Sequence, residues 1–159
     1  MSVFLRGEEL IKMAINWEEA GYQFYRNTEM HTSSQKLRDL FDYLAGQELR
    51  HKEKFIGLSN EFKESFRDKQ GITEEEQTYI EAMVDSSLFL RDQKRAEAVK
   101  KASTEKEVIS NAIQFEKDSL LFFFHLIDLV GKTQKPVIVA IINEEKSHVR
   151  KLAALNKSI

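Results

Sequence analysis

The sequence predicts an all-α fold, read as one domain over residues 1–159: an antiparallel four-helix bundle with a long helical crossover between its second and third helices. Three observations predict it. Breakers are scarce, with 1 Pro and 6 Gly in 159 residues, whereas a β-sandwich or barrel needs a turn about every 8–12 residues. Apolar residues recur three or four apart along four long stretches, the period of a helix with one buried face. The joins inside the first and last pairs of stretches are short and the join between the pairs is long, which makes each pair antiparallel.

The first helix is expected over about 7–31, where Leu10, Ile11, Ala14, Ile15, Trp17, Ala20, Phe24 and Tyr25 make the apolar stripe. The second is expected over about 33–67 with Leu37, Leu40, Phe41, Leu44, Phe55 and Phe62, opened by a Thr32–Gln35 capping box. The crossover, about 68–103, starts with a turn at Gly71 and a Thr73–Glu76 capping box. A short amphipathic helix follows over Thr73–Asp85, with another over Arg91–Lys101. The third long helix, about 105–130, has a Thr104–Glu107 capping box and Gly131 as its C-terminal stop. The fourth, about 134–155, carries Pro136 in its first turn, where a missing N–H costs little.

Composition narrows the function classes. With 24 basic and 26 acidic residues the net charge is −2, so no basic surplus exists to neutralise nucleic-acid phosphates. The longest apolar runs, Leu120–Phe124 and Val137–Ile142, are far short of the roughly 20 residues of a membrane span. Met1–Leu10 holds charges at Arg6, Glu8 and Glu9 and no signal-peptide core, so a cytoplasmic location is expected. The absence of Cys excludes disulfides, thiolate metal sites and a thiol nucleophile.

Six residues carry the chemistry. Glu18 lies in the first helix and Glu116 in the third, each alone; Glu48 and His51 form Glu-x-x-His in the second, and Glu145 and His148 form it again in the fourth. Residues three apart on a helix share a face, so each Glu/His pair can grip one ion. The arrangement repeats: Glu18, Gly21 and Phe24-Tyr25 correspond to Glu116, Ser119 and Phe122-Phe123 at an offset of 98, and the Glu-x-x-His pairs correspond at 97. Glu18 lies 14 residues before Thr32 and Glu48 lies 16 after it; Glu116 lies 16 before Lys132 and Glu145 lies 13 after it. At about 1.5 Å per residue the mismatch is about 3–5 Å in each pair, so the carboxylates can meet at one level.

Each Glu also sits in a core-facing stripe, Glu18 with Ile11 and Ala14, Glu48 with Phe41 and Leu44, Glu116 with Ile109 and Ala112, Glu145 with Ile138 and Ile142. Four uncompensated buried carboxylates would outweigh the stability of a domain. They are either protonated or gathered around positive charge. Two divalent cations balance four carboxylates, and two neutral His complete the set. These ligands suit iron or manganese, and zinc less selectively.

At Glu18-x-x-Gly-x-x-Phe-Tyr25, Glu48-Leu-Arg-His51, Ala112-Ile-Gln-Phe-Glu116-Lys-Asp-Ser119 and Glu145-Lys-Ser-His148 the chain resembles the rubrerythrin-type branch of the ferritin-like superfamily. The resemblance spans nearly the whole chain. It implies a ferritin-like bundle and a di-iron centre held by Glu18, Glu48, His51, Glu116, Glu145 and His148, with Glu18 and Glu116 completing or bridging the pair. It further implies oxidation of two ferrous ions by hydrogen peroxide or dioxygen, or, as the alternative, a ferroxidase that handles or stores iron. Typical members add a rubredoxin-like domain that binds iron through four Cys. Without Cys, this sequence must draw electrons from an external donor such as a rubredoxin. Typical members also carry a further Glu three residues after the one in the third helix, where this chain has Ser119.

Tyr25 reads first as a core aromatic and second as a hydrogen-bond donor or redox-active phenol beside the carboxylates. His31 and His125 lack a Glu three residues earlier and are expected at the surface and in packing, respectively. The run Phe122-Phe123-Phe124 is expected in the core or on a dimer face. A homodimer is expected from the frequency of twofold assemblies.

Overall fold

The computed structural model describes residues 7–65, 72–87 and 104–159. They form five helices: α1 (Gly7–His31), α2 (Gln35–Ser65), α3 (Glu74–Ser86), α4 (Glu105–Leu129) and α5 (Lys135–Ser158). The four long ones are those the periodicity predicts, and α3 is the first helix of the crossover. The second crossover helix expected over Arg91–Lys101, the Gly71 turn, the last residues of the second helix and the side chain of Phe62 lie outside the described residues. No helix among the described residues is long and apolar enough to cross a membrane.

The short joins between α1 and α2 and between α4 and α5 fold each pair back on itself, and the two hairpins pack face to face. Their stripes interlock in one core that includes Ile11, Ala14, Tyr25, Phe41, Leu44, Phe55, Ile109, Phe115, Phe123, Ile138 and Leu152, all buried. Aromatic contacts span the hairpins: Trp17 of α1 stacks on Phe122 of α4 with centroids 5.1 Å apart, and Phe55 of α2 meets Phe123 of α4 at 5.3 Å. In the aromatic run, Phe122 and Phe123 face the core and Phe124 is exposed. From α3, Ile80 is buried and Tyr79 places its ring 5.2 Å from that of His125 on α4. His125 thus lies in helix packing, whereas His31 is exposed with Nδ1 2.6 Å from the carbonyl of Asn27.

The ends follow local chemistry. Both Thr73–Glu76 and Thr104–Glu107 form full capping boxes, the Thr hydroxyl accepting from the N3 amide while the N3 Glu accepts from the cap amide. Two expected ends differ. The cap of α2 is Ser34 rather than Thr32: the Leu37 amide donates to Ser34 Oγ at 3.5 Å, and Thr32 Oγ1 accepts from the Ser34 amide at 3.4 Å instead. Gln35, freed from a capping box, reaches Asp39 and Arg38 along the helix surface. Gly131 follows α4 but does not cap it in a left-handed conformation, since no described Gly has positive φ. The extended Val130, at φ −94° and ψ 157°, ends the helix, and Gly131 accepts from the amides of Gln134 and Lys135 in the turn into α5.

Candidate metal centre

Each of the four long helices delivers one Glu to the middle of the bundle, because each Glu occupies the buried stripe of its own helix. Glu18 comes from α1, Glu48 and His51 from α2, Glu116 from α4, and Glu145 and His148 from α5. All six are at most 1% exposed. Their side chains fall into two groups of four: Glu18, Glu48, His51 and Glu145, and Glu48, Glu116, Glu145 and His148, with the candidate ligand atoms of each group within 4.8 Å of one another. The structure therefore brings together all six residues singled out from the sequence.

Of the two roles expected for Glu18 and Glu116, completing or bridging, the grouping favours the first. Glu48 and Glu145 belong to both groups, while Glu18 and Glu116 each belong to one. Ions held in both groups would share the glutamates of the two Glu-x-x-His pairs, and the lone glutamates would complete one group each. The i, i+3 spacing puts each of those glutamates beside its own His, and the hairpin packing puts it beside the other: His51 Nδ1 is 2.8 Å from Glu145 Oε1 and His148 Nδ1 is 3.6 Å from Glu48 Oε1.

The donor atoms fit a cation. Glu18 Oε1 and Oε2, Glu48 Oε1, His51 Nδ1, Glu116 Oε2 and Glu145 Oε1 are buried without a hydrogen bond. His51 Nδ1 approaches Glu145 closely but without the direction a hydrogen bond requires. Buried polar atoms are rarely left in this state, and so many converging on one point mark a site for positive charge.

Without a cation, protons take its place. Burial, reinforced by the charge of Glu145, pushes Glu18 and Glu48 well above the usual carboxylate range, and the same two causes lift Glu116 to about 8. Burial also opposes the charging of His51 and His148, but the carboxylates around them prevail and raise these to about 9 and about 10. Glu145 alone is held well below the ordinary value: burial works against its charge, and contacts with Glu116, His148 and His51 outweigh that. Every member of the metal-free cluster except Glu145 is thus shifted toward its protonated form, and a divalent cation must displace those protons.

Outer contacts fix the cluster. The Tyr25 hydroxyl donates to Glu116 Oε1 at 2.5 Å, so this residue is a buried donor to the site as well as a core aromatic, and burial, followed by the charges of Glu116 and Glu48, pushes its own pKa well up. His51 Nε2 lies 2.5 Å from Glu144 Oε2, and Lys54 Nζ lies 3.2 and 3.1 Å from the two oxygens of Glu144. Ser119 accepts from the Trp17 indole N–H at 2.8 Å and donates to the Phe115 carbonyl at 3.0 Å. These two bonds use its proton and one of its lone pairs, and tie Ser119 to Trp17 rather than to the cluster. Gly21 leaves room for Glu48: a Cβ there would lie 2.4 Å from Glu48 Oε2 and 2.8 Å from the Phe115 ring.

Sequence reasoning missed Glu144 and the Trp17–Ser119 pair. Glu144 is one of many surface acids by pattern, and only its position directly before Glu145 sets it apart. Trp17 and Ser119 are 102 residues apart, and nothing local links them.

The family model for rubrerythrin matches residues 9–156. The chain belongs to the rubrerythrin family. A crystal structure from Thermotoga maritima, described as a ferritin-like diiron-carboxylate protein, is similar over 99% of this chain and 98% of that one, at 26% identity and a TM-score of 0.75. No curated protein matches the chain. Like that relative, the chain has the ferritin-like fold, and its buried Glu/His cluster is able to bind metal, as a rubrerythrin-family bundle implies.

Proposed function

We propose that the chain is a non-haem di-iron carboxylate oxidoreductase that reduces hydrogen peroxide or dioxygen, with electrons from an external donor. The observation that carries this reading is the pair of Glu/His groups sharing Glu48 and Glu145. Glu48 and Glu145, shared in this way, would hold two one-electron metals at a single site, where together they could supply two electrons. Glu18 and His51 would complete one position, Glu116 and His148 the other, with manganese or zinc as competing occupants. The bound ferrous pair supplies two electrons, which with two protons convert one hydrogen peroxide to two waters.

The remaining work belongs to the side chains. Tyr25 holds Glu116 in place through its hydroxyl. Half-exposed Glu144 holds the imidazole of His51 with Nδ1 toward the centre and links it through a hydrogen bond to Lys54 at the surface. Tyr25 on Glu116 and Phe115 beside Gly21 and Glu48 are fully buried and keep bulk water from that side of the site.

The test is to load the metal-free protein anaerobically with ferrous iron, remove free metal, and mix it rapidly with peroxide or dioxygen while following near-ultraviolet absorption. The expected result is two irons retained per chain and faster oxidation by peroxide. Equal reaction with dioxygen followed by iron release would move the function to iron handling. Failure to retain iron would overturn the metal assignment.

A further inference from the structure

The two halves of the site are a repeat, and the repeat is broken where residues touch its outer side. At the offset of 97 that relates Glu48 to Glu145 and His51 to His148, the counterpart of Glu144 is Gln47. At the offset of 98 that relates Glu18 to Glu116, the counterpart of Tyr25 is Phe123.

Their consequences fall on opposite sides. His51 has Nδ1 toward the cluster and Nε2 against the Glu144 carboxylate at 2.5 Å. That contact fixes the proton on Nε2 and makes Nδ1 the stronger donor. His148 also turns Nδ1 to the cluster, 2.9 Å from Glu145 Oε2. Among the described residues, however, its Nε2 has no hydrogen-bond partner, and its ring meets Tyr43 edge-on at 6.3 Å. The carboxylates differ in the same sense. Glu18 has both oxygens free of hydrogen bonds, whereas the Tyr25 hydroxyl takes Oε1 of Glu116 and leaves only Oε2 free.

We infer that the two metal positions are unequal, the one formed with Glu18 and His51 binding a divalent cation more tightly than the one formed with Glu116 and His148, because Glu144 strengthens His51 while Tyr25 competes for Glu116. Glu144 and Tyr25 are positioning residues in this scheme. The tight position fills first and the loose one exchanges. This rests on the two-metal reading above, and the experiment separates the two.

Metal-free protein is titrated with Co²⁺ alone, followed by calorimetry and by the visible bands of the bound ion. The expected isotherm has two steps of one ion each, with affinities at least about tenfold apart. Repulsion between two dications would also separate the steps, so the variants decide. Glu144→Gln, at a half-exposed side chain, should weaken the tight step about 10–100-fold and leave the loose step in place. Tyr25→Phe, which copies its counterpart Phe123, should tighten the loose step and leave the tight one in place. The inference is overturned if Glu144→Gln weakens both steps alike or only the loose one, or if Tyr25→Phe does not move the loose step. If the unaltered protein binds no Co²⁺, the two-metal reading itself falls; if it binds two ions in one step, only the inequality does.

Discussion

Replacing Gly21 by Ala tests the packing of the centre most directly, because two opposed effects can be sized. In a helix interior Gly→Ala is ordinarily favourable by about 0.8–1.0 kcal/mol. At Gly21 the added Cβ would sit 2.4 Å from Glu48 Oε2 and 2.8 Å from two carbons of the Phe115 ring. Ordinary contact is about 3.5–4.0 Å, so the carboxylate and the ring must each retreat by about 1 Å. Overpacking of that kind costs about 1–3 kcal/mol, which leaves a net destabilisation of up to about 2 kcal/mol, or a Tm lower by several degrees. The effect on metal is larger, because Glu48 belongs to both ligand groups. A ligand held about 1 Å out of place falls outside the roughly 0.5 Å tolerance of a preorganised site, so both ions should bind at least about tenfold more weakly. Gly46 and Gly57 in α2 are the controls, since a Cβ at either meets nothing within 4 Å. Gly46→Ala and Gly57→Ala should each raise Tm by about 2–4 °C and leave metal binding unchanged. Thermal melts of the metal-free proteins and Co²⁺ titrations read both quantities. If Gly21→Ala stabilises as the controls do and still binds two ions normally, the close approach of Glu48 to α1 is wrong.

The metal-free protein should lose stability as pH rises through neutrality. Glu18, Glu48, Glu116, His51 and His148 all have raised folded-state values, so the folded form binds more protons than the unfolded one. The loss for Glu116 runs from its ordinary value to about 8, and for the two His from theirs to about 9 and about 10; Glu145, held low, acts only in acid. A metal-free Tm that stays flat or rises between about pH 6 and 9 would contradict this, and metal affinity should increase over the same range as protons leave. Ser119→Ala strands the buried Trp17 N–H and should cost about 1–3 kcal/mol in urea unfolding. Trp17→Phe in the same chain should recover part of that, and simple additivity of the two would deny the bond. Thr104→Ala removes the capping box of α4 and should lower stability by about 0.5–2 kcal/mol.

The fold was legible because its signals are local. Stripes at i, i+3 and i+4 fix which face of each helix is buried, and the lengths of the joins fix how the helices pair. The six candidate ligands were legible for the same reason: a Glu in the middle of an apolar stripe is anomalous in its own helix, and the repeat makes the anomaly recur. Local end signals were less decisive. Thr32 and Ser34 offer equivalent hydroxyls two residues apart, and it is Ser34 that accepts from the Leu37 amide while Thr32 accepts from Ser34. A Gly after a helix suggests a left-handed cap, but Val130 ends α4 in extended conformation before Gly131 is reached.

What the sequence by itself determined is therefore the bundle, its pairing, and the six residues that meet inside it. The tertiary structure alone decided how they divide: that Glu48 and Glu145 are shared while Glu18 and Glu116 are not, that Tyr25 spends its hydroxyl on Glu116, and that Glu144 reaches His51 rather than open solvent. Periodicity gives the direction of a side chain about its own helix axis. The partner it meets depends on the rotation and spacing of four axes at once, to within an ångström, and no single segment of the chain encodes that.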